Sequence, residues 1–307
     1  MVAAGVRRIT APNPGPFTFH GTNSYIVGSD HVVVIDPGPD DPAHIEALLR
    51  AVGSAKVDAI LATHSHRDHV PGTGPLREAT GAPVLAGRLA VGPSREGEPD
   101  VRLDAPAASA FLPDRFLSDG EIIAGDGYRL EAIATPGHAS DHFAFALSGR
   151  DILLPGDHVM GWATTVVAPP DGAMADYMRS LERLMARPQS TYLPAHGGEI
   201  GDAHAYMRGL RSHRRMRERA VLDRVRRGDR TIAEIVASTY AEVDPRLHGA
   251  AAMSTLAHLE DLVARGLVAS EGPPTLGGSY REGRPAGTAG AGPAGGDADE
   301  AAASAKP

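Results

Sequence analysis

Thr63-His64-Ser65-His66-Arg67-Asp68-His69 follows the apolar run Ile60-Leu61-Ala62 and packs four candidate metal donors into six residues. On a loop leaving a strand, His64 and His66 can address one cation, while the turn of the chain presents Asp68 and His69 to a second. Neutral imidazole and carboxylate are donors that zinc and related divalent ions accept, and three protein donors per ion leave a position for water.

Three isolated residues extend this set: His138 in Ala134-Thr135-Pro136-Gly137-His138, Asp157 in Leu154-Pro155-Gly156-Asp157, and His196 in Leu193-Pro194-Ala195-His196. Each follows a strand-like apolar run, with a Pro or Gly turn just before it, which sets the donors at strand ends along one edge of a layered protein where loops converge. Alone, each reads as a turn residue; with the first cluster they make seven. The 307 residues include 14 histidines and no cysteine, so thiolate sites and disulfides are excluded and metal binding falls to imidazole and carboxylate.

Outward from the cluster, short β-branched runs at Tyr25 to Val27, Val32 to Ile35, Ala59 to Ala62 and Val84 to Ala86 are bounded by Gly, Pro or Asp, as buried strands are. Between them His44, Ile45, Leu48, Leu49 and Val52 recur at helical spacing after Asp41-Pro42, a helix start signal. A second half repeats the plan, with strands expected at Tyr128 to Ala134, His142 to Leu147, Ile152 to Leu154 and Thr191 to Leu193, and a helix at Met174 to Met185. Both halves read as sheets with helices outside, a layered α/β pattern. Gly87 to Ser118 lacks a period and reads as a long surface loop.

Beyond His196 the character changes. Met207 to Arg230 is helical and basic, and from Arg208 onward it sets ten arginines against three acids, a local charge of +7 in a chain of net charge −8. Two amphipathic helices follow at Thr231 to Ala241 and Gly249 to Gly266, then Leu267-Val268-Ala269, together a winged-helix-like module. The division expected is a catalytic domain at 1–206, the module at 207–270, and a disordered Gly/Ala/Pro-rich tail at 271–307. No run approaches the roughly 20 apolar residues of a membrane span. Met1 to Thr10 carries Arg7 and Arg8 without an apolar segment after them, so no secretory signal is read and a cytoplasmic location is expected.

The run His64-x-His66-x-Asp68-His69, followed in order by His138, Asp157 and His196, resembles the signature of the metallo-β-lactamase superfamily over roughly Val6 to Arg208. The resemblance implies an αββα sandwich and two divalent cations, zinc first with iron or manganese as alternatives. It also implies the pairing: His64, His66 and His138 on one ion, Asp68, His69 and His196 on the other, with Asp157 bridging. Two such ions lower the pKa of a shared water to roughly 7 and polarise the bond to be cut, so no serine or cysteine nucleophile is needed. Asp68 is expected to orient that nucleophile as well.

Within the superfamily, Gly21-Thr22-Asn23-Ser24-Tyr25, Asp141-His142, Gly161-Trp162-Ala163-Thr164-Thr165 and Asp176-Tyr177-Met178-Arg179-Ser180-Leu181 are similar to the beta-lactamase-like-protein-2 group of endoribonucleases, which also carries a C-terminal winged helix. Val70-Pro71-Gly72 departs from that group's small-residue Gly pair. The absence of Cys and the presence of Asp157 speak against antibiotic hydrolysis. A spacing of 39 positions from Asp157 to His196 leaves no room for the insert of RNA-processing enzymes.

The reading favoured by these residues is a hydrolase of single-stranded RNA, with the basic helix holding phosphates. A glyoxalase II-like thioesterase or lactonase acting on a small ester or thioester is the alternative, and a non-catalytic nucleic-acid-binding protein is a third. Thr164 and Thr165 are expected to contact substrate, and Trp162, Phe111, Phe116 and Tyr192 are candidate cleft aromatics. Asn23 is expected to secure a turn, and His142 and His158 to support the metal donors. Oligomeric state is left open by the sequence.

Overall fold

A computed structural model of the chain describes residues 1–90, 111–242, 244 and 247–283. Its first sheet has six strands in sequential order: β1 (Val6–Thr10), β2 (Asn23–Gly28), β3 (His31–Ile35), β4 (Lys56–Leu61), β5 (Val84–Ala86) and β6 (Arg115–Phe116). Helices α1 (Pro42–Val52) and α2 (Thr73–Thr80) connect its parallel members. The start signal holds: Pro42 opens α1 and the Asp41 side chain accepts from the His44 backbone N–H at 2.8 Å.

The second sheet comprises β7 (Ile122–Gly125), β8 (Tyr128–Ala134), β9 (Phe143–Leu147), β10 (Ile152–Leu154) and β11 (Thr191–Tyr192), in the order β11-β10-β9-β8-β7. Helices α3 (Met174–Met185) and α4 (Ala203–Arg227) pack on its outer face.

Strand periodicity explains the four layers. In β3, Val33 and Ile35 point inward to meet Leu130, Phe145 and Leu154 of the second sheet, while Val32 and Val34 point outward onto Ile45, Leu48 and Leu76 of the helices. The second sheet does the same, with Ile133, Ala144 and Leu153 meeting Tyr177, Leu181 and Leu184 of α3. Sheets buried on both faces read as near-continuous apolar runs, which is why these strands stood out in the sequence.

The C-terminal module is built from α4, α5 (Ile232–Thr239), α6 (His248–Ala264) and the hairpin β12 (Val268–Ser270) to β13 (Tyr280–Glu282). A capping box starts α5, with Thr231 and Glu234 each satisfying the other's backbone N–H.

The expected disordered tail from 271 is corrected in its first part. Tyr280 is fully buried in the module's core, and that one aromatic anchors β13 against β12 despite the Gly/Pro-rich approach. Residues 284–307 lie outside the described residues, as do 91–110 of the expected surface loop. At the end of that loop Arg115 and Phe116 pair with β5, a two-residue strand too short to show a period. No described helix is long and apolar enough to cross a membrane.

Candidate metal centre and its cleft

All seven sequence-predicted donors meet at one end of the sandwich. They form three overlapping groups, His64/His66/His138, His64/His69/Asp157 and Asp68/His69/His196, within each of which the donor atoms lie inside 4.8 Å of one another. The turns that deliver them need glycine. Gly137 has φ +135° and an added Cβ would sit 2.2 Å from the Tyr177 backbone nitrogen; Gly156 has φ +55° and its Cβ would strike His142 at 2.6 Å.

Hydrogen-bond partners assign each imidazole's proton. Thr63 Oγ1 donates to Asp36 Oδ2 at 2.8 Å and so accepts from His64 Nδ1 at 3.0 Å, leaving His64 Nε2 as a lone pair. His138 Nδ1 donates to the Val166 carbonyl at 2.6 Å, freeing its Nε2 in the same way. Those two nitrogens stand 2.9 and 3.0 Å from His66 Nδ1, which offers at most one proton to both. Four donors around a tetrahedral ion at about 2.0–2.1 Å would be about 3.3 Å apart, close to this spacing.

The other half is still more electron-rich. His69 Nδ1 donates to Asp36 Oδ2 at 3.0 Å and His196 Nδ1 to the Gly21 carbonyl at 3.3 Å. Both Nε2 lone pairs therefore face carboxylates: His69 is 3.1 Å and His196 3.0 Å from Asp68 Oδ2. Asp157 Oδ2 lies between the groups, 3.6 Å from His69, 3.7 Å from His138 and 3.3 Å from His196. His69 Nε2 and Asp157 Oδ1 are buried without an aligned hydrogen bond. Imidazole nitrogens and carboxylate oxygens converging on common points are the donor set that divalent cations accept.

The charge pattern agrees. Burial first, and then the neighbouring histidines, hold His64 well below the usual imidazole range and His66 down to about 3. Burial also opposes charge on His69 and His196, but Asp68, Asp157 and Asp36 outweigh it at His69, while Asp157 and Asp68 push His196 up to about 10. Asp68 and Asp157 are held well below the carboxylate range, because the adjacent histidines overcome burial. A position that draws a proton this strongly draws a dication for the same reason.

Around the seven, several expectations hold in modified form. His142 Nε2 accepts from the Asp157 backbone N–H at 3.1 Å, while its Nδ1 lies 2.8 Å from Thr135 Oγ1, so it orients a donor as expected. His158 is buried against the Tyr177 ring at 4.5 Å, and among the described residues its ring makes no hydrogen bond to a metal donor. Asn23 secures more than a local turn: its amide donates to the carbonyls of Pro194 and Gly197, both at 3.0 Å, tying β2 to the loop that carries His196.

The cluster opens on a cleft of about 340 Å³ whose walls include His138, Asp157, Met160, Trp162, Thr164 and, from the C-terminal module, Tyr240. Thr164 and Thr165 both border it, but the expectation for Thr165 is corrected. Its hydroxyl has one proton, and that proton is committed to the backbone carbonyls of Asp157 and His158 at 2.7 and 3.1 Å, holding the loop rather than a substrate. Of the candidate aromatics only Trp162 lines the cleft. Tyr192 is fully buried in the core, Phe111 packs under the first sheet, and Phe116 lies beneath Arg88.

Three contributors were not singled out in the sequence. Asp36, a non-glycine residue at φ 50°, accepts from the Thr63 backbone N–H at 2.7 Å, from Thr63 Oγ1 and from His69, and so sets the tautomers of His64 and His69. Its signal was the strand end Val32-Val33-Val34-Ile35-Asp36-Pro37-Gly38. Thr22 Oγ1 donates to Asp68 Oδ2 at 3.1 Å. Arg214, one of ten arginines in a run, turns inward and borders the cleft.

Comparison with known proteins matches this geometry. Residues 17–196 match the metallo-beta-lactamase superfamily, and residues 231–275 match the beta-lactamase associated winged helix domain. An atrochrysone carboxyl ACP thioesterase from Aspergillus chevalieri is 32% identical over 256 residues, covering 78% of this chain and 74% of that protein. A beta-lactamase-like protein 2 homolog from Caenorhabditis elegans is 31% identical over 221 residues, 71% of this chain and 70% of that one. Among solved structures, a metallo-beta-lactamase family protein from Thermus thermophilus superposes with a TM-score of 0.74 at 26% identity, covering 92% of this chain and 100% of the other. With a family match across more than half its length, a four-layer sandwich and a His/Asp cluster suited to divalent metals, the chain belongs to the metallo-beta-lactamase superfamily of hydrolases, with that superfamily's associated winged helix at its C-terminus.

Proposed function

We propose that the chain hydrolyses a thioester, or a comparably activated ester, of a small acyl group with an apolar stem. Two divalent cations would be held by His64, His66 and His138 and by Asp68, His69 and His196, with Asp157 between them. The observation that carries the reading is the cleft: at about 340 Å³ it has the size of a small-molecule site, and Phe17, Met160, Trp162, Val166 and Leu247 give it an apolar lining that runs up to His138 and Asp157. The name of the Aspergillus chevalieri relative supports the same bond class.

Divalent cations bound there supply Lewis acidity at the scissile carbonyl and lower the pKa of water to roughly 7. The chain's own part is placement. Asp36 and the Val166 carbonyl keep His64, His69 and His138 in the donor tautomer. Asp68, whose side chain is 19% exposed where His69 and His196 are essentially buried, orients the attacking water as it gives up a proton. As the carbon–sulfur bond breaks, that proton passes to the departing thiolate. Trp162 and its neighbours exclude bulk water from the acyl group.

Single-stranded RNA is the second reading, favoured by Arg208, Arg219 and Arg227, which α4 leaves exposed. Against it, three of the ten arginines, Arg215, Arg224 and Arg226, are paired with Glu182, Asp229 and Glu282, and Arg214 is buried, so four of the expected phosphate contacts are already committed.

A panel of aliphatic and aromatic acyl thioesters, matched lactones and end-labelled single-stranded RNA, each given to metal-loaded wild type and to His66→Ala, tests the proposal. Thioester turnover lost in His66→Ala, with RNA intact, is expected. RNA cleavage lost in His66→Ala, with no thioester turned over, overturns it in favour of phosphodiester chemistry.

A further inference from the structure

On α4, Arg215, Arg224 and Arg226 lie outside the cleft and have carboxylate partners, whereas Arg214 and Arg217 border the cleft and have none among the described residues. Arg215 pairs with Glu182 at 3.4 Å, Arg224 with Asp229 at 2.6 Å and Arg226 with Glu282 at 3.0 Å. Arg214 and Arg217, together with His213, line the cleft, and neither arginine has a carboxylate within ion-pair distance among the described residues. Arg214 is only 4% exposed. Its guanidinium donates to the Thr165 carbonyl and lies 4.9 Å from the Tyr177 ring, while its Nε is buried without a partner. Arg217 donates to the Thr239 carbonyl at 2.9 Å, rests 4.3 Å from the Tyr240 ring and borders the cleft. The indole Nε1 of Trp162, on the same cleft, is likewise buried and unpartnered.

An uncompensated buried guanidinium is costly, and a fold that keeps one beside a cavity is suited to a ligand that brings the missing charge. The neighbouring histidines do not share the positive charge. Burial first, then Arg214, lowers His213, and the same causes in the same order hold His258 down to about 3. Planar guanidinium forks match carboxylates, to which they donate two parallel hydrogen bonds.

We propose that Arg214 and Arg217, at the end of the cleft contributed by α4, form a subsite for a carboxylate at the far end of the acyl group. On this account the C-terminal module is the specificity wall of the hydrolase site rather than a nucleic-acid reader. The inference rests on the thioesterase reading for the identity of the bond, but the anion subsite itself can be tested without turnover.

The full metal-loaded chain is compared on two thioesters of N-acetylcysteamine, one with an adipoyl group that ends in a carboxylate and one with a hexanoyl group that does not. Wild type is expected to prefer adipoyl by about tenfold or more in kcat/KM, the factor for one charge-assisted hydrogen bond. Arg217→Gln brings that ratio toward one, Arg217→Lys partly restores it, and Arg215→Gln, ion-paired outside the cleft, leaves it unchanged. Arg214→Gln makes the same test if it folds, and Arg217 carries it if not. A second readout needs no hydrolysis: Trp162 is the chain's single tryptophan, so its emission during titration with hexanesulfonate and with hexanol reports occupancy of the cleft.

Tighter binding of the sulfonate, lost in Arg217→Gln, supports the subsite even if neither thioester is cleaved, in which case only the bond class falls. Equal response to sulfonate and alcohol in wild type, or a preference untouched by both arginine variants, overturns the subsite.

Discussion

The loop at 63–69 and helix α4 are both dense in one kind of side chain, yet only the loop's role could be read from residue type and spacing. In the loop, imidazole and carboxylate donors converge with their lone pairs on common points, and the ions they suit follow from the donors themselves. Along α4, chemically identical guanidinium groups meet different fates within a few residues. Arg214 is buried without a carboxylate, Arg215 is paired with Glu182, Arg217 rests on Tyr240, and Arg219 is exposed. A ligand set carries its partner's identity within it, whereas the meaning of a charge run is decided by whatever the fold packs against it.

The sharpest way to break this contrast is to remove one donor. His66→Ala is expected to lower kcat/KM by about 10³-fold or more, because the polarising ion on its side loses a donor that no neighbour replaces. Steady-state turnover together with metal content measures it; a loss below tenfold at full metal loading would show that the cluster is not where the chemistry happens.

One step out, Asp36→Asn keeps the shape but exchanges the acceptor that fixes the His64 and His69 tautomers. Metal affinity measured by chelator competition is expected to fall about 10- to 100-fold with the circular dichroism spectrum retained. Unchanged affinity would make Asp36 a packing residue only.

Ion binding also stabilises the fold that gathers the donors. Saturation at about 100 times Kd contributes about 2.7 kcal/mol, so stripping the metal is expected to lower Tm by roughly 5–10 °C, recovered on adding it back. Equal Tm in both forms would mean that the cluster is preformed without gaining from the ions.

The least effect is expected on the outer face of α4. Arg219→Gln and Arg227→Gln should each change stability by less than about 0.5 kcal/mol and leave thioester turnover as it was. A fall in RNA affinity with a shallower salt dependence would restore the phosphate-track reading.

The His64 to His69 cluster, most strands of the two sheets and the helices α1 and α3 were legible from local signals, whereas β1, β7 and α2 were not expected and His138, Asp157 and His196 stood out only beside the cluster. Met174–Met185 reads as a helix from its apolar face, and Val84–Ala86 as a strand from three apolar residues between breakers. What was not legible depends on distant partners. β6 has two exposed residues and exists because β5 has an open edge to pair with. β13 is held by Tyr280 entering a core formed by three helices. Thr165 sits where a substrate contact was expected, but its hydroxyl is turned to the backbone of Asp157 and His158. The partners of Asp36 lie 27 and 33 positions away, out of reach of any spacing rule.

Elemental analysis of the purified chain tests the central claim most directly, because gathering seven side chains into one centre has a stoichiometric consequence. About two divalent ions per chain are expected in wild type, falling toward one in separate His138→Ala and His196→Ala variants. Fewer than one ion in the fully folded wild type, or two ions retained in both variants, would contradict it.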